Sequence, residues 1–149
     1  MNTAERLGAE HVPRGRKRPP RRQPPIPSAP TVYADEGNQA MNKLSLTATV
    51  TQQAALARTA PAGRGAVTVY GGHEHVLRQT VIALNAGEVL SEHENPGEAT
   101  VQVLRGRVRL SAAEASWEAR TGDLLIVPNE RHTLEALEDS AVLLTVAKP

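Results

Sequence analysis

The sequence predicts an all-β fold: a single small antiparallel β-barrel, preceded by a short helix and a disordered N-terminal tail. From residue 66 onward, about nine short segments rich in Val, Leu and Thr follow one another, as is typical of antiparallel folds. No long helix interrupts them, which argues against a parallel sheet with crossover helices. The chain has no Phe, one Trp and two Tyr. Its core must therefore be aliphatic, and Val favours strands.

Turn residues separate most of the predicted strands. The strand segments are AVTVY, VLRQTVIAL, EVLSEH, ATVQVL, RVRL, ASWEA, DLLIVP, HTLEAL and AVLLTV. The turn signals between them are Gly71-Gly72, Ala86-Gly87, Asn95-Pro96-Gly97, Gly106, Gly122-Asp123 and Asp139-Ser140. Gly, Asn, Asp and Pro end strands because they adopt or impose backbone angles that a strand does not use. This regular succession of short strands and turns predicts a single barrel over residues 66–149.

A short helix and a linker are predicted for residues 41–65. Apolar residues recur near helical spacing at Leu46, Val50, Ala54 and Ala57. The segment QQAALAR contains strong helix formers, so the helix should end near Arg58, before the breakers in TAPAGRG. Its start stays open because residues 44–50 also alternate like a strand.

Residues 1–40 differ in composition from the rest of the chain. They contain seven of the 11 prolines and the basic run RGRKRPPRRQPPIPSAP, which has almost nothing apolar to bury. Such a segment cannot offset its ordering entropy, so we expect a disordered tail. Two other interpretations stay open: a true start at Met41, and a basic arm that touches nucleic acid or anionic lipid.

The composition excludes several classes of protein. Without cysteine there are no disulfides, zinc–thiolate clusters or thiol chemistry. No apolar run approaches the roughly 20 residues that cross a bilayer, and no secretory signal is visible, so we expect a cytoplasmic protein without a membrane partner. Residues 41–149 carry 10 basic and 12 acidic groups, and no helix-turn-helix pattern is present, so nucleic acid is not an expected partner. There is also no phosphate loop, nucleophile elbow or HExxH motif.

The stretch GEVLSEHENPGEATVQVLRG, residues 87–106, carries the most informative pattern. Alternate side chains of a strand share one face, so His93 and Asn95 should point the same way. By the same rule the next strand has an apolar inner face, formed by Ala99, Val101 and Val103. Its other face carries Glu98, Thr100 and Gln102.

This stretch resembles the first motif of the cupin superfamily, which has a glycine, His-x-His, a Glu and a second glycine. The matching residues here are Gly87, His93 and Gly106. The segment GDLLIVPNERH resembles the second motif through Gly122, Pro128 and His132. The resemblance covers about residues 66–148. It implies a jelly-roll barrel with a pocket inside one end.

The departures from the motifs concern the metal ligands. Metal-binding cupins offer three His and one Glu, a set that suits iron, manganese, nickel or zinc. In this chain Asn95 takes the second His slot, Ala99 takes the Glu slot, and Glu98 is one residue off. Only His93 and His132 are left, whereas catalytic metal sites normally keep three protein ligands. We interpret this as an eroded metal site and expect no particular cofactor.

Two functions stay open, and the sequence does not decide whether the protein is an enzyme. The first is a cupin-domain protein that binds a small molecule or polar ligand in the barrel, through the pocket candidates His93, Asn95, His132 and Gln79. The second is a metal-dependent cupin enzyme of the isomerase or dioxygenase type, which uses His93 and His132 for a divalent metal. Because the sheet edges need covering, we also expect a homodimer.

Three further groups of polar residues were considered. His73 and His75 could chelate a metal, but an exposed strand entry is the preferred interpretation. Residues 78–80 begin a strand of which every second side chain faces the pocket. The sequence leaves open which of these residues point inward. Arg105, Arg107 and Arg109 lie near Glu114 and Glu118, and cross-strand charge pairs on a solvated face explain them.

Overall fold

The structure, a computed structural model, describes residues 42–93 and 97–148. A helix, α1 (Leu46–Thr59), precedes nine strands in these ranges. The strands are β1 (Arg64–Tyr70), β2 (Leu77–Leu84), β3 (Val89–His93), β4 (Glu98–Arg105), β5 (Arg107–Ala112), β6 (Ala115–Arg120), β7 (Leu124–Ile126), β8 (His132–Ala136) and β9 (Ser140–Ala147). The predicted tail, residues 1–40, lies outside the described ranges.

The nine strands form two antiparallel sheets. One sheet has five strands in the order β1-β2-β9-β4-β7, and the other has four in the order β3-β8-β5-β6. Each predicted strand segment overlaps one observed strand, so the all-β prediction is confirmed. Within residues 42–93 and 97–148 no strand pair joins the two sheets, and closure into a barrel stays a prediction.

The two sheets pack face to face around an aliphatic core. The five-stranded sheet contributes Ile82, Val101, Val103 and Val142, and the four-stranded sheet contributes Leu90, Val108, Leu110 and Leu134. Each such side chain stabilises the fold by about 1.5–3 kcal/mol when it is fully buried. As the alternation predicts, Ala99, Val101 and Val103 all lie on this inner face. This core contains no aromatic residue among its buried members.

Helix α1 covers the outer face of the five-stranded sheet and forms a third layer. A second core lies between them, with Val50 and Ala57 from the helix and Val81, Ala83 and Leu143 from the sheet. As a result, four consecutive residues of β2, 81–84, are buried, because both of their faces are covered. The sequence pattern predicts the helix but not its position as a third layer.

The start of α1 is fixed by a capping residue. Ser45 has an extended backbone, and its Oγ accepts a hydrogen bond from the Ala48 N–H at 3.2 Å. Such caps satisfy donors that the first helical turn leaves unpaired. The hydroxyl of Thr49 donates to the Ser45 carbonyl at 2.9 Å, so this threonine bonds within the helix. Within the stretch 44–50, which alternates like a strand, residues 46–50 are therefore helical, and the helix ends at Thr59, next to the predicted Arg58.

Gly106 turns β4 into β5 against the start of β9. Its φ of 84° favours glycine, and a Cβ at this position would collide with the Asp139 carbonyl and the Ser140 hydroxyl. Ser140 is buried, and its Oγ accepts from the Arg107 N–H at 3.0 Å. The second glycine of the first motif therefore permits a close crossing that joins both sheets.

No helix in the described ranges is long and apolar enough to cross a membrane.

We predict that Gly65→Ala lowers the free energy of unfolding by about 1–3 kcal/mol, as overpacking does. A Cβ at Gly65 would lie 2.6 Å from the Gln53 carbonyl oxygen, so α1 would have to move off the sheet. Urea unfolding measures the effect. Gly72→Ala is the matched control, because a Cβ there meets nothing within 4 Å. Equal losses in both variants would contradict the proposed close approach.

Candidate functional site

His132 is the first residue of β8, and it borders the space between the two sheets. It is only 6% exposed. It lines an interior cavity together with eight aliphatic side chains, among them Val101, Leu134 and Leu144. The cavity has a volume of about 20 Å³, enough for about one water molecule. Among the residues that the structure describes, His132 is thus the one polar residue that lines this cavity.

The imidazole of His132 is oriented by a backbone hydrogen bond. Its Nδ1 lies 2.8 Å from the carbonyl oxygen of Glu130. A carbonyl oxygen only accepts, so Nδ1 carries a proton, and in the neutral ring Nε2 is then an acceptor. Functional histidines are commonly fixed in this way, through the nitrogen that does not meet the ligand.

The strand register brings His93 next to His132. The two residues are paired directly across β3 and β8, after an irregularity between Leu90 and His93. Directly opposite residues of an antiparallel pair have Cα atoms about 4.5–5.5 Å apart. Two of the predicted site residues are therefore neighbours along the backbone. Asn95 lies outside the described residues, and its place in the pocket stays a prediction.

The Glu slot of the first motif is apolar in this structure. Ala99 occupies it on the inner face and is 7% exposed, whereas Glu98 lies on the outer face and is exposed. Within the described ranges no group of three or more His, Asp or Glu side chains is arranged to hold a metal ion. The described residues therefore do not fit the four-ligand centre that the resemblance implies.

Gln79 faces away from the space between the sheets. Along β2, Ile82 belongs to the inner core, and Val81 faces helix α1. Gln79 shares the parity of Val81, and its Nε2 donates to Thr145 Oγ1 at 3.2 Å on that outer face. The sequence left open which residues of this strand face the space between the sheets. In the structure Arg78 and Thr80 face inward, and Gln79 faces outward.

The second histidine pair lies in an exposed turn rather than on a strand. His73 and His75 both fall between β1 and β2, and both are exposed. The His75 ring packs edge-on against Tyr70, with ring centroids 5.1 Å apart. The preferred interpretation as an exposed strand entry is therefore right about the exposure but wrong about the strand, because the pair lies in a turn.

A ladder of opposite charges covers the outer face of the four-stranded sheet. Arg109 Nη2 lies 2.8 Å from Glu118 Oε1, and Arg107 lies 3.6 Å from the same carboxylate. Arg109 also lies 3.6 Å from Glu135, so the predicted cross-strand pairing uses Glu135 rather than Glu114. The hydrogen bond from Arg109 lowers the pKa of the Glu118 carboxyl. Arg107 and Arg109 are therefore paired with carboxylates within the chain, on the face of the sheet opposite to His132.

Neither a protein-family model nor a curated protein matches the sequence. Solved structures do match. A conserved protein of unknown function from Streptococcus pyogenes is 28% identical with a TM-score of 0.53, over 58% of this chain and 75% of that one.

Two further solved structures are named as cupins. An RmlC-like cupin from Desulfovibrio desulfuricans is 25% identical, with a TM-score of 0.50, over 56% of this chain and 81% of that one. A cupin superfamily protein from Desulfitobacterium hafniense is 16% identical, with a TM-score of 0.54, over 58% and 78%. The two facing antiparallel sheets and the likeness to these solved structures thus define the class of the protein as a cupin-like fold. The chain belongs to the cupin superfamily, as the sequence motifs suggested.

We predict that the side-chain pKa of Glu118, measured by NMR titration, lies below its ordinary value and rises towards it in Arg109→Gln. Because the folded-state pKa is lowered, the stabilisation is present above the unfolded-state pKa. It is lost as the pH falls through the folded-state pKa. Arg120→Gln is the control, since Arg120 has the smallest of the effects that lower this pKa. An unchanged Glu118 titration in Arg109→Gln would contradict the pairing.

Proposed function

We propose that the protein is a cupin-domain binding protein that holds a small polar ligand at the end of the sandwich where His132 lies. The burial of His132 in an aliphatic cavity carries this proposal. The imidazole brings a polar ring into a space that is otherwise lined by aliphatic side chains, where an aliphatic residue would pack without the need for a hydrogen bond. Its hydrogen bond to Glu130 holds the ring in one orientation, as recognition of a ligand requires.

The volume of the cavity limits where the ligand sits. Pockets for drug-sized ligands measure roughly 300–1,000 Å³. The space beside His132 is about 20 Å³, so it accepts a single small group and not a whole metabolite. The ligand therefore places one polar group near His132 and extends toward the end of the sandwich at which β3 and β8 carry the two histidines.

A metal-dependent cupin enzyme is the second candidate, and the register of His93 with His132 favours it. Two histidines at paired positions of neighbouring strands supply a ligand type that iron, manganese, nickel and zinc all accept. A third protein ligand would have to come from elsewhere, because Ala99 replaces the Glu and Glu98 lies on the outer face. For that reason the binding function is preferred.

Metal analysis of the purified full chain separates the two candidates. We expect far less than one equivalent of iron, manganese, nickel or zinc, and no difference between the wild type and His132→Ala. One equivalent of a single metal that is lost in His132→Ala would establish the second candidate instead. His73→Ala is the control, since this exposed histidine lies in a turn.

Thermal unfolding in the presence of small sugars, amino acids and hydroxy acids tests the binding function. A ligand that binds only the folded state stabilises it by about 2.7 kcal/mol at one hundred times its Kd. We expect at least one such compound to raise the Tm of the wild type by several degrees. The rise should vanish in His132→Gln and persist in His73→Gln. A rise that persists in His132→Gln would place binding elsewhere.

We also propose that the protein forms a homodimer through the edge made by β6 and β7. These strands are consecutive, each lies at the end of its sheet, and they carry Trp117, Leu124 and Ile126, which are 45%, 58% and 71% exposed. Exposed apolar residues on an edge strand favour association, and a two-fold axis lets one copy cover the same surface of the other.

Light scattering coupled to size-exclusion chromatography tests the dimer. We expect Ile126→Glu to convert a wild-type dimer of twice 15.9 kDa into a monomer, because the charge would be desolvated at the interface. Leu56→Glu is the matched control: Leu56 is 56% exposed, but it lies on helix α1. A monomeric wild type at high micromolar concentration would refute the proposal.

A further inference from the structure

We propose that Arg78 binds the carboxylate group of the ligand at the same end of the sandwich. The inference rests on the proposed binding function, which it deepens by naming the chemical class of the ligand: a small organic carboxylate. It assigns to Arg78 a role that neither the sequence motifs nor His132 reveals.

The direction of Arg78 follows from the strand register. The pairing of β2 with β9 is continuous from Leu77↔Ala147 to Leu84↔Ser140, so no bulge changes the parity. Arg78 is directly opposite Val146, which packs against the core between the sheets. Residues directly opposite in an antiparallel pair share a face. Arg78 therefore lies on the inner face of the five-stranded sheet.

Arg78 also lies at the end that contains the His132 cavity. Leu144 lines that cavity and is paired with Thr80 of β2. Arg78 precedes Thr80 by two residues on the same strand. Two residues along a strand span about 6.8 Å. An arginine side chain is long enough to cover this distance along the strand, so the guanidinium of Arg78 can reach the level of Leu144, at the margin of the cavity that His132 lines.

The polar atoms of Arg78 are incompletely satisfied. Its Nε is buried, and among the described residues it has no hydrogen-bond partner. A buried donor without a partner costs about 1–3 kcal/mol, so proteins rarely keep one without a reason. Gly71 makes room for the side chain, because a Cβ at Gly71 would lie 3.0 Å from Arg78 Cγ. A ligand oxygen at Nε would remove the penalty.

The chemistry of the group favours a carboxylate. A guanidinium presents Nε–H and an Nη–H in a planar fork, which matches the two oxygens of a carboxylate. Within the described ranges, Arg78 is the one cationic residue on the inner face of β2. One positive charge balances one carboxylate, whereas a phosphate dianion would leave net negative charge in a partly buried site.

An NMR titration of the full chain with sodium propionate tests the inference, with sodium chloride and sodium phosphate at equal ionic strength as comparisons. We expect propionate to shift the Arg78 Nε–H signal and the His132 ring signals, and chloride to shift neither. Arg78→Gln should weaken propionate binding about tenfold or more, because it removes the charged fork. Arg78→Lys should recover only part of the affinity, because lysine lacks the fork.

The controls separate the possible outcomes. Arg120→Gln removes the same charge from an exposed strand and should leave binding unchanged. Arg78→Met keeps the aliphatic stem, and we expect it to raise the Tm of the ligand-free protein, because it removes the unpaired Nε. A lower Tm together with unchanged propionate binding would show that Arg78 is structural and would overturn the inference. Phosphate binding stronger than propionate binding would overturn the carboxylate assignment.

Failure of this inference is distinguishable from failure of the proposed function. If a compound from the thermal panel shifts the His132 signals equally in wild type and Arg78→Gln, the binding function stands and the role of Arg78 is refuted. If neither that panel nor propionate shifts the His132 signals, both proposals fail together.

Discussion

The pairing of β2 with β9 runs without a break over eight residue pairs, and apolar side chains cover both of its faces. On one side the four-stranded sheet closes the inner core, and on the other side helix α1 closes the second core. A slip of one residue would exchange the two sets of side chains, so burial on both faces specifies the register strongly. This constraint fixes Val81 and Gln79 outward and Ile82 and Arg78 inward.

The inward direction of Arg78 at the candidate site therefore depends on the packing of residues 81–84 farther along β2. The described lining of the inner cavity is aliphatic except for His132, and the cavity leaves space for about one water molecule. At the candidate site the backbone of Glu130 orients His132, and Gly71 allows the Arg78 side chain to pass. A buried donor without a partner lowers stability, and binding sites commonly retain such costs because the ligand removes them. The structure thus combines a rigid frame with a polar end that is less well satisfied.

The sequence predicted the features that depend on local pattern. Val-rich segments and turn glycines located all nine strands, and the spacing of Gly87, His93 and Gly106 led to the family. The inward face of Ala99 followed from alternation. The direction of Arg78 could not be predicted, because the segment VIAL is apolar at every position when both faces of a strand are buried. The helix layer that causes this burial is a long-range feature, and no local pattern in β2 reports it.

The position of Trp117 has a consequence for spectroscopy. It is the one tryptophan of the chain, and it lies on the terminal strand of the four-stranded sheet with nearly half of its surface in contact with solvent. Its emission therefore responds to changes at the margin of the molecule, while the aliphatic interior is silent in fluorescence. An emission shift on dilution would report exposure of that margin. An unfolding curve followed by this signal alone would report the loss of structure around the terminal strand β6 rather than in the aliphatic core.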